Sequence, residues 1–545
     1  MESKNTKKRA QLYIKILELG DQELYMEGHT TASGLDQWEI TVKDQKGKSY
    51  PCEIFHLPNL DEYSEDGEKL SQGAGFRIHL PIRANRTYAF YFCNDKGKAR
   101  MLKPIFGKFA KLSRKVEGSY FAKGSYLVSC NEDGELKVSK NSKKRQIKAE
   151  LKLLKHLCSI KEYQIAFIRA AAALMRKFKR NEIWIICDRS YLAGDNGEAL
   201  FKYIQKVKPE GIKAYFMLDE KSRDFQRMQS FGKVLKKDSF SYKCKFLCAD
   251  KILSSHADPW TTNAFGEQMI YVRDLFDFSF VFLQHGIGMN DMSTWLHKHN
   301  KNIKLLLTSA KPEYDSFFMY PYEYDEDVIK LTGLPRYDYL EDEAEKRIVF
   351  LPTWRKRLAG PVVNGSSERI YSEEFKTSEY FQFYNSLIND EKLIQCMREN
   401  GYVGEFYVHP SFDAQAVDFE GNDTIKVINE TAKYNEVYRK NALLITDYSS
   451  AAFDFAYMKK PIVYAQFDKA SFFEGHVFVE GYFDFEQHGF GPVCADYGET
   501  VATIMVYIKE GCQMQEVHKE RVDAFFAYTD RNNCQRVLDQ VLAMK

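Results

Sequence analysis

A chain of 545 residues exceeds what one hydrophobic core usually organises, so about two to four domains are expected. Its 78 Lys plus Arg nearly balance 76 Asp plus Glu, which argues against a dedicated nucleic-acid binder. The 11 cysteines are scattered, and Cys244 and Cys248 have no second Cys or His pair. Neither a zinc site nor a disulfide framework is therefore expected, and a reducing cytoplasm is the natural compartment. The polar start from Met1 to Arg9 is not followed by a signal-like apolar stretch, and no run reaches the roughly 18 apolar residues of a membrane span.

Residues 1–139 read as a β-rich accessory domain. Short alternating runs such as Phe76 to Pro81 and Tyr88 to Phe92 are separated by turn-like stretches at Asp44 to Gly47, Asn94 to Gly97 and Asn131 to Gly134, the pattern of a small antiparallel β-sandwich. Residues 140–181 change to helix, with Leu151, Leu154, Leu157, Ile160, Ile165, Ile168, Ala171 and Leu174 near helical spacing. This segment is strongly basic, and two readings stay open for it: an amphipathic contact with an anionic membrane face, or a solvated linker packed on the next domain.

From Glu182 onward, buried strand-like runs alternate with helices. Residues 182–187, 213–218, 251–255, 279–284 and 304–309 form one series, and 347–352, 405–408, 425–428, 442–446 and 461–465 a second. Strands alternating with helices imply parallel sheets covered on both faces, hence two Rossmann-like domains, 182–332 and 333–545, facing each other across a cleft. The stretch from about Glu499 to Met544 reads as helical.

The chemistry lies at the strand ends, where open α/β sheets bind ligands. His285 ends one apolar run and is followed by Gly286, where little side-chain bulk blocks a substrate; His409 ends another and precedes Pro410. Imidazole is the side chain that serves as base or acid near neutrality. Asp447-Tyr448-Ser449-Ser450 closes a third run before an apolar helix, offering hydroxyls and free amides to an anion, with helix capping as the plain alternative. Arg355, after Thr353, and Arg336, in a turn beginning at Pro335, add guanidinium forks that suit phosphate oxygens, although either alone would fit an ion pair. Together these residues point to a diphosphate site. No metal-ligand cluster stands out, so neither metal nor cofactor is expected.

These residues resemble a known family. Leu283-Gln-His285-Gly286, Thr332-Gly-Leu-Pro335-Arg336-Tyr-Asp338, Leu351-Pro-Thr353-Trp354-Arg355, Val408-His409-Pro410, Thr446-Asp447-Tyr-Ser449-Ser450, Lys459-Lys460-Pro461, and Gly481-Tyr-Phe-Asp through Gly489-Phe-Gly491-Pro492 are similar to the motifs of CDP-glycerol glycerophosphotransferases. Asp188-Arg189 with Gly194-Asp195-Asn196-Gly197-Glu198 looks like the opening motif of that family, and the likeness covers roughly residues 180 to 530 in order. These enzymes build teichoic acid and related phosphate-linked polymers in Gram-positive bacteria.

The resemblance implies a GT-B fold and transfer of an alditol phosphate from a CDP-alditol to a hydroxyl of a polyprenyl-diphosphate-linked glycan or growing polymer, at the inner face of the cell membrane. It implies His285 as the base and His409 beside the donor phosphates, with Arg355, Thr353, Asp447, Ser449, Ser450, Pro335 and Arg336 on the donor side. Asp195, Asn196 and Gly286 fall on the acceptor side. Many members read His-Gly-Thr-Pro-Leu-Lys after the first histidine, whereas this chain reads His285-Gly-Ile-Gly-Met-Asn. The alditol therefore stays open between glycerol, the family's usual substrate, and ribitol. Rival readings are a GT-B glycosyltransferase using a nucleotide sugar and a non-catalytic membrane scaffold.

Overall fold

The structure, a computed structural model, describes residues 11–31, 38–57, 74–94, 98–361, 369–429, 434–472 and 479–544. The β-rich front consists of two sheets packed over a core that includes Leu12, Ile14, Leu24, Met26, Phe76, Phe90, Val128 and Val138. One sheet has the order Glu53–Phe55, Gly75–Pro81, Glu23–Thr30, Leu12–Leu19, Ile105–Phe109. Its last pairing, Leu12–Leu19 with Ile105–Phe109, is parallel, a departure from the all-antiparallel expectation. The other runs Tyr120–Lys123, Tyr126–Cys130, Leu136–Lys140, Arg86–Asn94, Trp38–Asp44, Ser49–Pro51. The expected turns at Asp44 and Asn131 are closed by Gly47 and Gly134, each with positive φ, while that at Asn94 to Gly97 lies largely outside the described residues.

The sandwich is anchored to the first α/β half. Arg273 donates to the carbonyls of Phe106 and Gly107 at 3.1 Å each and to that of Leu112, and Glu27 holds His299 at 2.6 Å and Lys298 at 3.0 Å. Between the two run a pair of helices, Lys143–Ser159 and Tyr163–Phe178, broken near Lys161 by a positive φ of 64°. Leu153, Leu157, Ile165, Ile168 and Ala172 form their buried seam, whereas Leu151, Ile160 and Leu174 of the expected apolar set face outward. Arg169 is fully buried between Glu150 and Asp274, with charge-assisted bonds of 2.7–2.9 Å to both.

Each α/β half holds a wholly parallel sheet. In the first, the spatial order is Val234–Lys236, Ile212–Leu218, Glu182–Cys187, Lys251–Ser254, Ser279–Phe282, Leu305–Thr308, Ile329–Leu331. In the second it is Ile425–Ile428, Val403–Tyr407, Arg347–Phe350, Leu443–Thr446, Ile462–Ala465, Val493–Cys494. Numbered along the chain within each half, both begin 3-2-1-4-5-6, the doubly wound Rossmann order. The strands are apolar on both faces because both are covered. Ile183, Ile185 and Ile252 face the helical pair, while their neighbours Trp184, Ile186 and Leu253 pack on the opposite face.

Gly333, with φ of +76°, makes the passage between halves, and a Cβ there would lie 2.0 Å from Asn533 Oδ1, so only glycine fits. Asn533 opens the last helix, Asn533–Ala543, which follows the second half in sequence. Its Val537, Leu538 and Val541 pack with Trp184, Leu200 and Phe201 of the first half, so the chain ends by crossing back to the domain where the parallel sheets began. Among the described residues, no helix is long and apolar enough to cross a membrane.

Candidate active site

Open α/β sheets bind ligands outside the carboxyl ends of their strands, at the point where the strand order reverses. In the first half that point lies between Glu182–Cys187 and Lys251–Ser254; in the second, between Arg347–Phe350 and Leu443–Thr446. Asp188, Arg189, Ser255 and His256 follow the first pair, and Thr353, Arg355, Asp447, Ser449 and Ser450 follow the second. A Cβ on Gly286 would come within 3.3 Å of Ser450 Oγ, so the two groups meet face to face across the halves.

Asp188 is buried and accepts from the backbone N–H of Gly197 (2.7 Å), Asp195 (3.0 Å) and Glu198 (3.1 Å) and from the Ser255 hydroxyl (2.6 Å). Burial, followed by the charge of Asp195, pushes its carboxyl up to about 7. The approach is close enough that a Cβ on Gly197 would sit 2.5 Å from Asp188 Oδ1. The capped helix Asn196–Val207 thereby fixes Asp195 at its N-terminus.

Asp195 is the hub of the site. Its Oδ2 lies 2.6 Å from His285 Nδ1 and its Oδ1 2.6 Å from Arg336 Nη1. Burial raises its pKa, but Arg336 and His285 outweigh that and hold the carboxyl well below the usual range. An ionised carboxylate only accepts, so His285 Nδ1 carries a proton, and in the neutral ring the lone pair falls on Nε2; the side chain is 48% exposed. Gln284, with φ of 61°, sets the turn before it, and its amide is held by Glu313 at 3.0 Å. Glu313 also accepts from Gly288 N–H (2.9 Å) and Ser309 N–H (2.7 Å), and burial lifts its carboxyl to about 7.

His409 has the opposite polarity. Its Nδ1 accepts from Ser411 N–H at 3.1 Å, so the ring proton resides on Nε2. Burial first, then the charges of Arg189 and Arg369, lower its pKa to about 4, leaving it a neutral donor at neutral pH. Trp354 stacks on it at 6.0 Å and 18°.

Arg355 and Arg336 are not phosphate grips offered to the cleft. Arg355 is 2% exposed and engages Asp468 through two bonds (2.7 and 3.0 Å), Asp447 at 2.9 Å and the Thr353 carbonyl at 2.6 Å. Arg336 is 7% exposed and bonds Asp454 bidentately (2.6 and 2.8 Å), Asp195, and the His285 carbonyl at 2.5 Å. Sequence reasoning missed Asp454 and Asp468; the first had a signal, an acid inside the apolar helix Ala451–Tyr457, and the second had none.

The other expected residues divide similarly. Pro335 is buried at the start of the short helix Pro335–Tyr339 and turns the chain. Asn196 is buried, linking the Gln284 carbonyl (2.8 Å) to Arg336 N–H (3.0 Å), so it clamps the halves and does not face an acceptor. Asp447 is fully buried and accepts from Thr353 N–H at 2.8 Å, which ties the strand ends together. Ser449 Oγ accepts from Ala451 N–H at 3.2 Å from one position before the helix cap, and Ser450, the cap residue, makes no side-chain capping bond and faces Gly286.

His256 follows Ser255 at the same switch point. Its ring lies 4.6 Å from that of His285, and burial, then His285, lower its pKa to about 3. Ligand atoms of Asp195, His256 and His285 lie within 4.8 Å of one another, so the trio has the compactness of a cation site. Both Asp195 oxygens are already engaged, and Arg189 Nε lies 3.4 Å from His256 Nε2, an arrangement better suited to an anion nearby.

Two doubly wound domains with their switch points opposed, and a last helix that returns to the first, define the GT-B class. Residues 168–543 match the family described as CDP-Glycerol:Poly(glycerophosphate) glycerophosphotransferase, and the chain belongs to it. It is 38% identical over 550 residues to the minor teichoic acid biosynthesis protein GgaB of Bacillus subtilis (strain 168), an alignment covering 98% of this chain and 60% of GgaB. The chain thus spans about 60% of the length of that relative. It is 27% identical over 225 residues to the teichoic acid poly(ribitol-phosphate) polymerase of Bacillus spizizenii (strain ATCC 23059 / NRRL B-14472 / W23), covering 39% of this chain and 33% of that protein. The wall teichoic acid polymerase TagF shares the fold, with a TM-score of 0.50 at 16% identity over 74% of this chain and 100% of that one.

Removing one member of a buried ion pair strands its partners, so Arg355→Ala is expected to cost about 3–5 kcal/mol in urea unfolding. A cost below about 1 kcal/mol would show that Arg355 is not structural. His409 supplies a pH signature. Its folded value of about 4 lies below the ordinary histidine value, so the unfolded chain binds more protons between the two. Its contribution to stability is complete above roughly pH 6.5 and is lost as pH falls toward 4. His409→Gln should therefore show a smaller drop in urea midpoint between pH 7.5 and pH 5 than the parent.

Proposed function

We propose that this chain transfers an alditol phosphate from a CDP-alditol to a hydroxyl of a lipid-linked glycan or growing teichoic-acid-like polymer, releasing CMP. The observation that carries the reading is the His285–Asp195 pair: a carboxylate fixes the tautomer, and an exposed Nε2 lone pair points away from it. In the reaction, Nε2 takes the acceptor hydroxyl proton as that oxygen bonds to the alditol-bearing phosphorus. The bond from this phosphorus to the bridging oxygen breaks, and its electron pair leaves with CMP. Phosphoryl transfer of this kind depends on in-line positioning and charge neutralisation more than on covalent help. The neutral Nε2–H of His409, on the opposite half, serves as a donor to the donor phosphates. Ser450, beside Gly286, adds a hydroxyl at the seam between the halves.

GgaB, named as a teichoic acid biosynthesis protein, supports the polymer class. Other relatives are named for poly(ribitol-phosphate) and for poly(glycerol phosphate), so both alditols stand as donors, glycerol being the first choice. His285→Ala is expected to abolish CMP release while CDP-alditol binding, followed by calorimetry, changes little. Turnover equal to the parent would remove His285 as base, and a product without added phosphorus by mass spectrometry would indicate glycoside synthesis.

A lipid-linked acceptor requires access to the inner membrane face, and the helical pair at 143–178 is suited to provide it. Ile147, Leu151, Tyr163, Phe167, Leu174 and Phe178 are each at least 60% exposed, among the exposed Lys144, Arg145, Lys148, Lys152, Lys155 and Lys177. Outward apolar side chains among cations fit an anionic lipid interface. Co-sedimentation with phosphatidylglycerol vesicles should be lost when Lys144, Lys148, Lys152 and Lys155 become Gln and Phe167 and Phe178 become Ser. Undiminished binding would reduce the segment to a linker.

A further inference from the structure

We infer that Arg189 is the guanidinium that takes the transferred, alditol-bearing phosphate, an assignment that rests on the phosphotransfer reading above. It stands immediately after Asp188 at the switch point of the first half, with its backbone pinned to Leu192 by hydrogen bonds of 3.2 and 3.4 Å.

Three observations point to it. Arg336, Arg355 and Arg169 are each spent on a pair of carboxylates, whereas Arg189 has no carboxylate at ion-pair distance among the described residues. Its side-chain hydrogen bonds are long and go to neutral groups, Nε to His256 Nε2 at 3.4 Å and Nη1 to Tyr191 Oη at 3.3 Å. A half-buried guanidinium so weakly satisfied favours an anion beside it.

Its place in the cleft is the second observation. Arg189 Nε stands 3.4 Å from His256 Nε2 in its own half, and its charge also contributes to lowering the pKa of His409 in the other. At the same loop the second half reaches over, Asn435 Nδ2 donating to the Gly194 carbonyl at 3.2 Å.

The third is complementarity of roles. His285 offers a lone pair and His409 a neutral N–H, so neither brings the positive charge that a transferring phosphoryl group requires. Arg189 supplies it from beside the His256–His285 pair, and its fork can hold two phosphate oxygens at once. His256, kept neutral by burial, is the positioning residue that accepts from Nε and aims the fork.

The test compares parent, Arg189→Ala and Arg189→Lys in three measurements: CMP release from CDP-glycerol and CDP-ribitol, calorimetric affinity for CDP and CMP, and thermal midpoint. Arg189→Ala should lower kcat/KM by about 10²–10³-fold, with partial rescue by free guanidinium ion. Lys, a point charge without the fork, should restore little. Loss of the contact to the outer phosphate should weaken CDP about tenfold or more while CMP changes less than about twofold. Turnover of Arg189→Ala within about threefold of the parent, or equal weakening of CDP and CMP, would overturn the assignment. If the parent itself released no CMP from either donor, the phosphotransfer reading would fall, and the CDP-to-CMP affinity ratio would still decide whether Arg189 holds the outer phosphate.

Discussion

Arg336 lies at the junction of the two α/β halves with its whole fork committed: Nε and Nη2 to Asp454 in the second half, Nη1 to Asp195 and the His285 carbonyl in the first. Desolvating a guanidinium costs several kcal/mol unless its partners are equally well placed, and here two carboxylates and a carbonyl are. Asp195 divides its oxygens between this arginine and His285, so the orientation of the imidazole depends on the same contact that joins the halves. Cleft geometry and base geometry are thus one constraint. A shift of one half against the other would strain the Asp195–Arg336–Asp454 chain together with the Asn196 clamp.

A second regularity lies beneath it. In each half a buried aspartate spans the gap between the first and fourth strands, where the strand order reverses. Asp188, after the first strand, accepts from Ser255 after the fourth; Asp447, after the fourth, accepts from Thr353 N–H after the first. Parallel strands splay at such points, leaving amides without ladder partners, and a carboxylate is a compact acceptor for several of them. The cost differs between halves. Asp447 has Arg355 at 2.9 Å, whereas Asp188 relies on neutral donors and is raised by burial and by the neighbouring charge of Asp195.

Much of this was legible in the sequence. All ten longer Rossmann strands coincide with apolar runs; the central ones, such as Lys251–Ser254 and Leu443–Thr446, are buried on both faces and show no polar alternation. Val234–Lys236, Ile329–Leu331 and Val493–Cys494 were not legible, since edge strands of two or three residues are too short to show any period. His285 and His409 stand out because each half places one at a strand end beside the cleft, whereas a lone strand-end histidine is more often a satisfied structural group. The two arginines misled because sequence shows a guanidinium but not its partners, and Asp468 is 113 positions from Arg355. Arg189 appears in the opening motif but carries no role there for the converse reason: what distinguishes it is the lack of a carboxylate partner among the described residues, which only the assembled fold displays. The helical pair was read from spacing alone, and part of its expected apolar seam turned outward because the real seam follows Leu153, Leu157, Ile165, Ile168 and Ala172.

The two histidines differ because one hydrogen bond to each Nδ1 has the opposite sense. A carboxylate at His285 forces the proton onto Nδ1 and frees the Nε2 lone pair; a backbone N–H at His409 forces the proton onto Nε2. Each sense is set by local structure, the first by the N-terminal residue of Asn196–Val207 and the second by the turn that Pro410 starts. Burial then separates them further, leaving His285 half exposed and depressing His409 to about 4. A base must accept a proton and a phosphate donor must keep one. Identical side chains meet both requirements once the fold has chosen their tautomers.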